Sequence, residues 1–205
     1  MQNMLFTSIT TAFFVGLSLL YSTDANLVSE NGLYENLQAL LLLLTFALAL
    51  IGALRHTNPT LKYTLTGFAL LSFAFLLREL EFRGSHLPDW LIYVTAPQGS
   101  AYITLLAFIP FVYYSLKNLS FALQAVICFC KSLHVLRILL VASLLVLGGV
   151  FDRNWIFSAH AQFFEEFFEL AAYYALAWSM FKLLPNQIEF EQKQNTSTSK
   201  NLCFG

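Results

Sequence analysis

The chain contains little charge. Only 11% of its 205 residues are Asp, Glu, Lys or Arg, whereas 58% are hydrophobic and 21 are phenylalanine. A soluble domain of this length cannot bury so many apolar side chains, so the composition excludes a soluble globular protein. We expect the lipid bilayer as its surroundings and no nucleic-acid partner.

Cysteine and histidine are also scarce, with three Cys and four His. Cys128 and Cys130 are one residue apart and no further Cys or His pair completes a zinc set, which argues against structural zinc. The sequence contains no Gly-x-Ser-x-Gly, Walker, His-Glu-x-x-His or dinucleotide motif. These absences remove the catalytic families that a short motif would identify.

The long apolar runs predict an all-α, polytopic membrane protein, because period-two alternation is absent and each run approaches the roughly 20 residues that cross hydrocarbon. Six transmembrane helices are predicted in one domain, residues 1–185, at 4–21, 35–54, 61–77, 100–116, 135–151 and 163–184. The segment from Lys117 to Lys131 is too short to cross and predicts an interfacial helix or an extension of the fourth span. Residues 186–205 are polar and predict a flexible cytoplasmic tail.

The basic residues predict the orientation. With the N-terminus inside, eight of the 11 Lys and Arg fall on the cytoplasmic side (Arg55, Lys62, Lys117, Lys131, Arg137, Lys182, Lys193, Lys200) and three outside (Arg78, Arg83, Arg153). This is a positive-inside bias. We therefore expect a bacterial inner (plasma) membrane protein with both termini cytoplasmic and its carboxylates facing the periplasm.

Carboxylates within or at the edge of the predicted spans are candidate site residues, because an ionisable group in hydrocarbon is costly unless paired or hydrated. They are Glu35, Glu79, Glu81, Glu165, Glu166 and Glu169, joined by Arg78 and Gln38. At 100° per residue, Gln162, Glu165, Glu166, Glu169 and Tyr173 share an arc of about 100°. For Glu35 and Glu165, an ordinary first-turn charge that stabilises the helix dipole is an equally good interpretation.

Three short stretches carry a resemblance: Glu30 to Gln38, Arg78-Glu-Leu-Glu-Phe82, and Glu165-Glu-Phe-Phe-Glu169. The chain resembles a group of uncharacterised bacterial multi-span membrane proteins with an acidic-Gly-x-x-Glu-x-x-Gln opening and an acidic motif ending a later helix. The group has no established activity, so the resemblance implies topology and candidate residues but no mechanism. Intramembrane CAAX-type proteases carry Glu-Glu-x-x-x-Arg, but here Leu170 occupies the Arg position.

The leading hypothesis is that spans 35–54, 61–77 and 163–184 converge on an acidic pocket that binds a cation or polar ligand, with transport as one use. The predicted ligand-binding residues are Glu35, Gln38, Arg78, Glu79, Glu166 and Glu169. Glu35, Glu79, Glu166 and Glu169 are the predicted ligands of a divalent metal ion, since hard oxygens favour such ions. The alternatives are a membrane-embedded hydrolase or transferase acting on lipid or lipid-linked substrate, and a structural subunit with a membrane protein partner or a second copy.

Overall fold

The described part of the chain is helical. The computed structural model describes residues 14–16, 18–19, 32–80, 88, 92–93, 95–132, 134–153 and 160–183. Within these residues, the helices with complete limits are α1 (Leu33–Arg55), α2 (Pro59–Glu79), α3 (Pro97–Lys117), α4 (Leu119–Cys130), α5 (His134–Asp152) and α6 (Ala161–Leu183). The predicted all-α class is confirmed for this part of the chain.

Four of these helices, α1, α2, α3 and α5, are long and apolar enough to cross a membrane. The predicted bundle of six such helices is therefore confirmed only in part. Helix α6 matches α1 in length but carries Glu165, Glu166, Glu169 and Lys182, which is why it is not among the four. Most of the first predicted span and all of the predicted tail lie outside the described residues. Helix α4 has 12 residues, too few to cross.

A short connection joins α1 to α2 and makes them antiparallel. The side chain of Asn58 accepts hydrogen bonds from the backbone N–H of Thr60 (3.0 Å) and of Leu61 (3.3 Å), which caps α2. Pro59 follows at the first helical position, where a missing N–H costs nothing. This hairpin brings the start of α1 and the end of α2 to the same end of the bundle.

Four helices form the packed part of the molecule. Helix α1 packs along α2 and α6, and α5 packs along α6. Their shared core contains small and aliphatic residues, among them Ala49, Leu65, Ala172 and Leu176, which let the helix backbones approach closely. Helices α3 and α4 lie at the edge against α2, and α3 exposes large apolar side chains such as Leu105 and Ile109.

The described charges are separated between the two ends of the bundle. One end, the basic end, carries Arg55, Lys62, Lys117, Lys131, Arg137 and Lys182 and no described carboxylate. The opposite, acidic end carries Glu35, Glu79, Asp152, Glu165, Glu166 and Glu169 with Arg78 and Arg153. The candidate site therefore lies at the acidic end.

Candidate functional site

At the acidic end, Arg78 joins α2 to α6. Its Nη2 donates hydrogen bonds to Glu79 Oε1 (2.8 Å), Glu169 Oε2 (2.7 Å) and the Tyr173 hydroxyl (3.0 Å), and its Nε donates to Glu79 Oε1 (3.0 Å). The Tyr173 hydroxyl in turn donates to Glu79 Oε1 (3.1 Å). We call these four residues the Arg78 network. The network joins α2 to α6, and α1 packs against both of these helices.

Local sequence explains this geometry. Arg78 and Glu79 occupy the last turn of α2, and Glu169 and Tyr173 are four residues apart on one face of α6. Tyr173 is fully buried, and the side chains of Glu79 and Glu169 are only 9% and 14% exposed, whereas that of Arg78 is 52% exposed. The guanidinium thus covers two largely buried carboxylates and compensates their charge.

Gly148 of α5 allows a close approach to the Arg78 network. A Cβ at this position would lie 3.2 Å from Glu169 Cγ and 3.4 Å from the Glu165 carbonyl oxygen. Helix α5 can therefore pack directly against the Glu169 side chain only because Gly148 has no side chain. At the neighbouring Gly149, an added Cβ would meet nothing within 4 Å.

A second contact joins α1 to α6 one turn nearer the start of α6. Gln38 Nε2 donates to Glu166 Oε2 (2.7 Å) and to the Glu166 carbonyl oxygen (3.1 Å). Gln38 is fully buried, and within the described residues its Oε1 has no hydrogen-bond donor. We call this contact the Glu166–Gln38 pair.

Other carboxylates surround this pair. Glu35 lies one turn before Gln38 on α1, and the charges of Glu35, Glu79 and Glu169 act on the Glu166 carboxylate. Glu165 lies beside Glu166 on α6, and its side chain forms no hydrogen bond or ion pair with the described part of the chain. Among the described residues at this end of the bundle, carboxylates outnumber basic side chains. Glu81, the remaining candidate, lies outside the described residues.

The predicted site residues thus fall into two groups, the Arg78 network and the Glu166–Gln38 pair with Glu35. No group of three or more His, Cys, Asp or Glu among the described residues is arranged to hold a metal ion. Glu79 and Glu169, two of the four predicted metal ligands, instead bind a guanidinium. A divalent metal stays a prediction from the sequence that this geometry does not support.

Sequence reasoning left two residues of this region out of the site. Tyr173 shares the glutamate arc of α6 and lies four residues after Glu169, and this spacing was the signal that could have included it. Gly148 had no comparable signal, because its role depends on which helix packs against α5.

Compared with known proteins, the chain matches no protein-family model, no curated protein and no solved structure. The resemblance to uncharacterised multi-span proteins therefore stays a prediction, and the functional argument depends on the site itself.

Proposed function

We propose that this helical membrane protein binds a singly charged cation, or the ammonium group of a polar ligand, in the acidic pocket at Glu166 and Gln38. Glu35 contributes negative charge to the pocket, and the Arg78 network, with Glu79 and Glu169, forms its rigid wall. The observation that carries the proposal is the unequal pairing of neighbouring carboxylates on α6. Within the described part of the chain, Glu169 has a guanidinium partner, whereas the partner of the Glu166 side chain is a neutral amide.

The pairing of Glu166 supports a positively charged ligand. Among the described residues its side chain has one hydrogen-bond donor, Gln38 Nε2, and no cationic partner. A carboxylate within a membrane-spanning helix is expensive unless a positive charge or water compensates it. A bound cation would supply that compensation.

The buried amide of Gln38 supplies a second acceptor. Its Oε1 is fully buried without a donor, and leaving such a group unsatisfied costs about 1–3 kcal/mol. Buried polar atoms in native proteins nearly always have a partner, so this oxygen indicates a ligand or an ordered water. The amide oxygen of Gln38 and the second carboxylate oxygen of Glu166 are both hard acceptors.

The small number of oxygen acceptors in the proposed site favours a cation with a single charge. Calcium takes six to eight oxygen ligands, and magnesium requires near-octahedral coordination. Among the described residues, no set of three or more carboxylates is arranged to provide such coordination. A monovalent ion or an ammonium group needs fewer protein ligands and fits one carboxylate with one amide oxygen.

Thermal unfolding of the purified protein tests this proposal. Sodium, potassium, ammonium and ethanolammonium chlorides are each compared with N-methylglucamine chloride at constant ionic strength. A bound cation at about 100 times its Kd should raise the free energy of unfolding by about 2.7 kcal/mol. Glu166→Gln and Gln38→Leu should abolish the increase, and Glu189→Gln, which removes an equal charge elsewhere in the sequence, should keep it. An identical cation response in Glu166→Gln and the unmodified protein would refute the site.

The proposal includes a topology of six spans in a bacterial inner membrane, with the acidic end periplasmic and both termini cytoplasmic. The charge separation between the two ends of the bundle supports it through the positive-inside rule. Reporter fusions after Pro185 should read cytoplasmic, and fusions near Asp89 and Asn154 should read periplasmic. A periplasmic reading after Pro185 would reverse the orientation. Flux of the bound cation into proteoliposomes would establish whether binding serves transport.

A further inference from the structure

A second feature lies at the basic end, far from the acidic pocket. Helices α2, α3 and α4 enclose a groove of about 540 Å³ whose lining includes Lys62, Tyr63, Ala107, Phe111 and Phe121. Tyr63 and Phe111 also line a smaller cavity of about 250 Å³ that extends along α2 and α4. We call the larger cavity the Lys62 groove.

Aromatic rings and one polar contact shape the Lys62 groove. The rings of Tyr63 and Phe111 stack with their centroids 4.8 Å apart, and Phe121 meets Tyr63 edge to face at 5.7 Å. The Tyr63 hydroxyl lies 2.7 Å from the hydroxyl oxygen of Ser115, which donates to the Phe111 carbonyl oxygen. These contacts form an aromatic wall of the groove where α2 packs against α3 and α4.

The mouth of the groove is positively charged. The Lys62 ammonium is exposed and forms no ion pair or hydrogen bond within the described part of the chain. The same is true of Arg55, Lys117 and Lys131 at this end, where the described residues include no carboxylate. A negative group at Lys62 would therefore meet uncompensated positive charge.

We propose that the Lys62 groove binds an anionic phospholipid, with an acyl chain along the aromatic wall and the phosphate at Lys62. The groove opens beside α3, whose exposed Leu105, Ile109 and Leu116 face the hydrocarbon, so an acyl chain reaches it directly. Only an amphiphile satisfies both an apolar wall and a basic mouth. Basic pockets between membrane helices bind anionic headgroups on the same principle.

Native mass spectrometry of delipidated protein tests this inference with dioleoyl phosphatidylglycerol and dioleoyl phosphatidylcholine. We expect the anionic lipid to bind about fivefold more tightly, as one Lys near a headgroup contributes a factor of this size. Lys62→Gln should remove that preference. Lys117→Gln, an exposed lysine at the same end outside the groove lining, should change the affinity less than twofold. Equal effects of the two substitutions, or equal binding of the two lipids, would overturn the proposal.

A filled groove tests the position of the acyl chain. Ala107→Phe, with Ala107→Leu as a smaller replacement, should lower the affinity for both lipids about tenfold or more, while circular dichroism and size-exclusion elution stay unchanged. Unchanged lipid binding in a folded Ala107→Phe protein would exclude the groove. A third measurement uses inorganic phosphate, which has the charge of the headgroup but no acyl chain. If millimolar phosphate stabilises the protein as strongly as phosphatidylglycerol does, Lys62 is an anion site and no lipid site.

Discussion

Glu166 and Glu169 lie one turn apart on α6 and have different partners. Glu169 shares the Arg78 guanidinium with Glu79 and Tyr173, so its charge is compensated inside the protein. Glu166 accepts a hydrogen bond from the Gln38 amide, which is neutral and does not compensate the carboxylate charge. Under the proposed function, the Arg78 network stabilises the fold and the Glu166–Gln38 pair binds the positive charge.

The largest expected effect comes from removing the guanidinium. Arg78→Met leaves Glu79 and Glu169 largely buried without a counter-charge. Removing one partner of a fully buried ion pair costs about 3–5 kcal/mol, and because Arg78 is half-exposed we expect a loss at the lower end, about 3 kcal/mol. Adding Glu169→Leu should restore part of the lost stability. Equilibrium unfolding in detergent measures both variants and the Glu169→Leu single variant. Additive losses in the double variant would mean that the two residues are not coupled.

The next effect concerns the phenol of the Arg78 network. Tyr173→Phe keeps the ring and removes one donor to Glu79 and one acceptor from Arg78. Hydrogen bonds to charged groups contribute about 1.5–3 kcal/mol, so we expect a loss within that range. Tyr113→Phe, the same change at an exposed tyrosine of α3, is the control in the unfolding measurement. A Tyr173→Phe protein as stable as the original would show that the hydroxyl contributes nothing to the network.

A smaller effect is expected where α5 meets Glu169. Gly148→Ala should destabilise the protein by about 1–2 kcal/mol, because its Cβ would lie 3.2 Å from Glu169 Cγ in a closely packed region. Gly149→Ala has open space and should instead raise the stability by up to about 1 kcal/mol through helix propensity. The difference in unfolding free energy between the Gly148→Ala and Gly149→Ala proteins measures how tightly α5 packs against the Arg78 network. Equal values would mean that α5 moves freely away from Glu169.

The smallest stability change is expected at Glu166, and it is the sharpest test of the comparison. Glu166→Gln keeps an oxygen acceptor for Gln38 Nε2 and removes only an uncompensated charge. We expect the unfolding free energy in the absence of added cation to stay the same or to rise, because the substitution removes a charge that no described residue compensates. A loss as large as that of Arg78→Met would show that Glu166 is part of the structural network rather than a binding group.

The helix limits could largely be predicted from the sequence. Predicted spans at 35–54, 61–77, 100–116, 135–151 and 163–184 correspond to α1, α2, α3, α5 and α6, each within a few residues at both ends. Hydrocarbon thickness sets this length, so a run of apolar residues contains the information locally. The predicted short helix between Lys117 and Lys131 is also present as α4.

The candidate site could be predicted less completely. The sequence alone identified Gln38, Arg78 and Glu169 as unusual in an apolar helix, because the cost of burying polar groups depends on residue type. Only the tertiary structure decided that the guanidinium joins Glu79 to Glu169 and that Glu166 receives an amide instead. Partners on different helices depend on helix rotation and close approach, for which Gly148 is needed, and these follow from packing of the whole bundle.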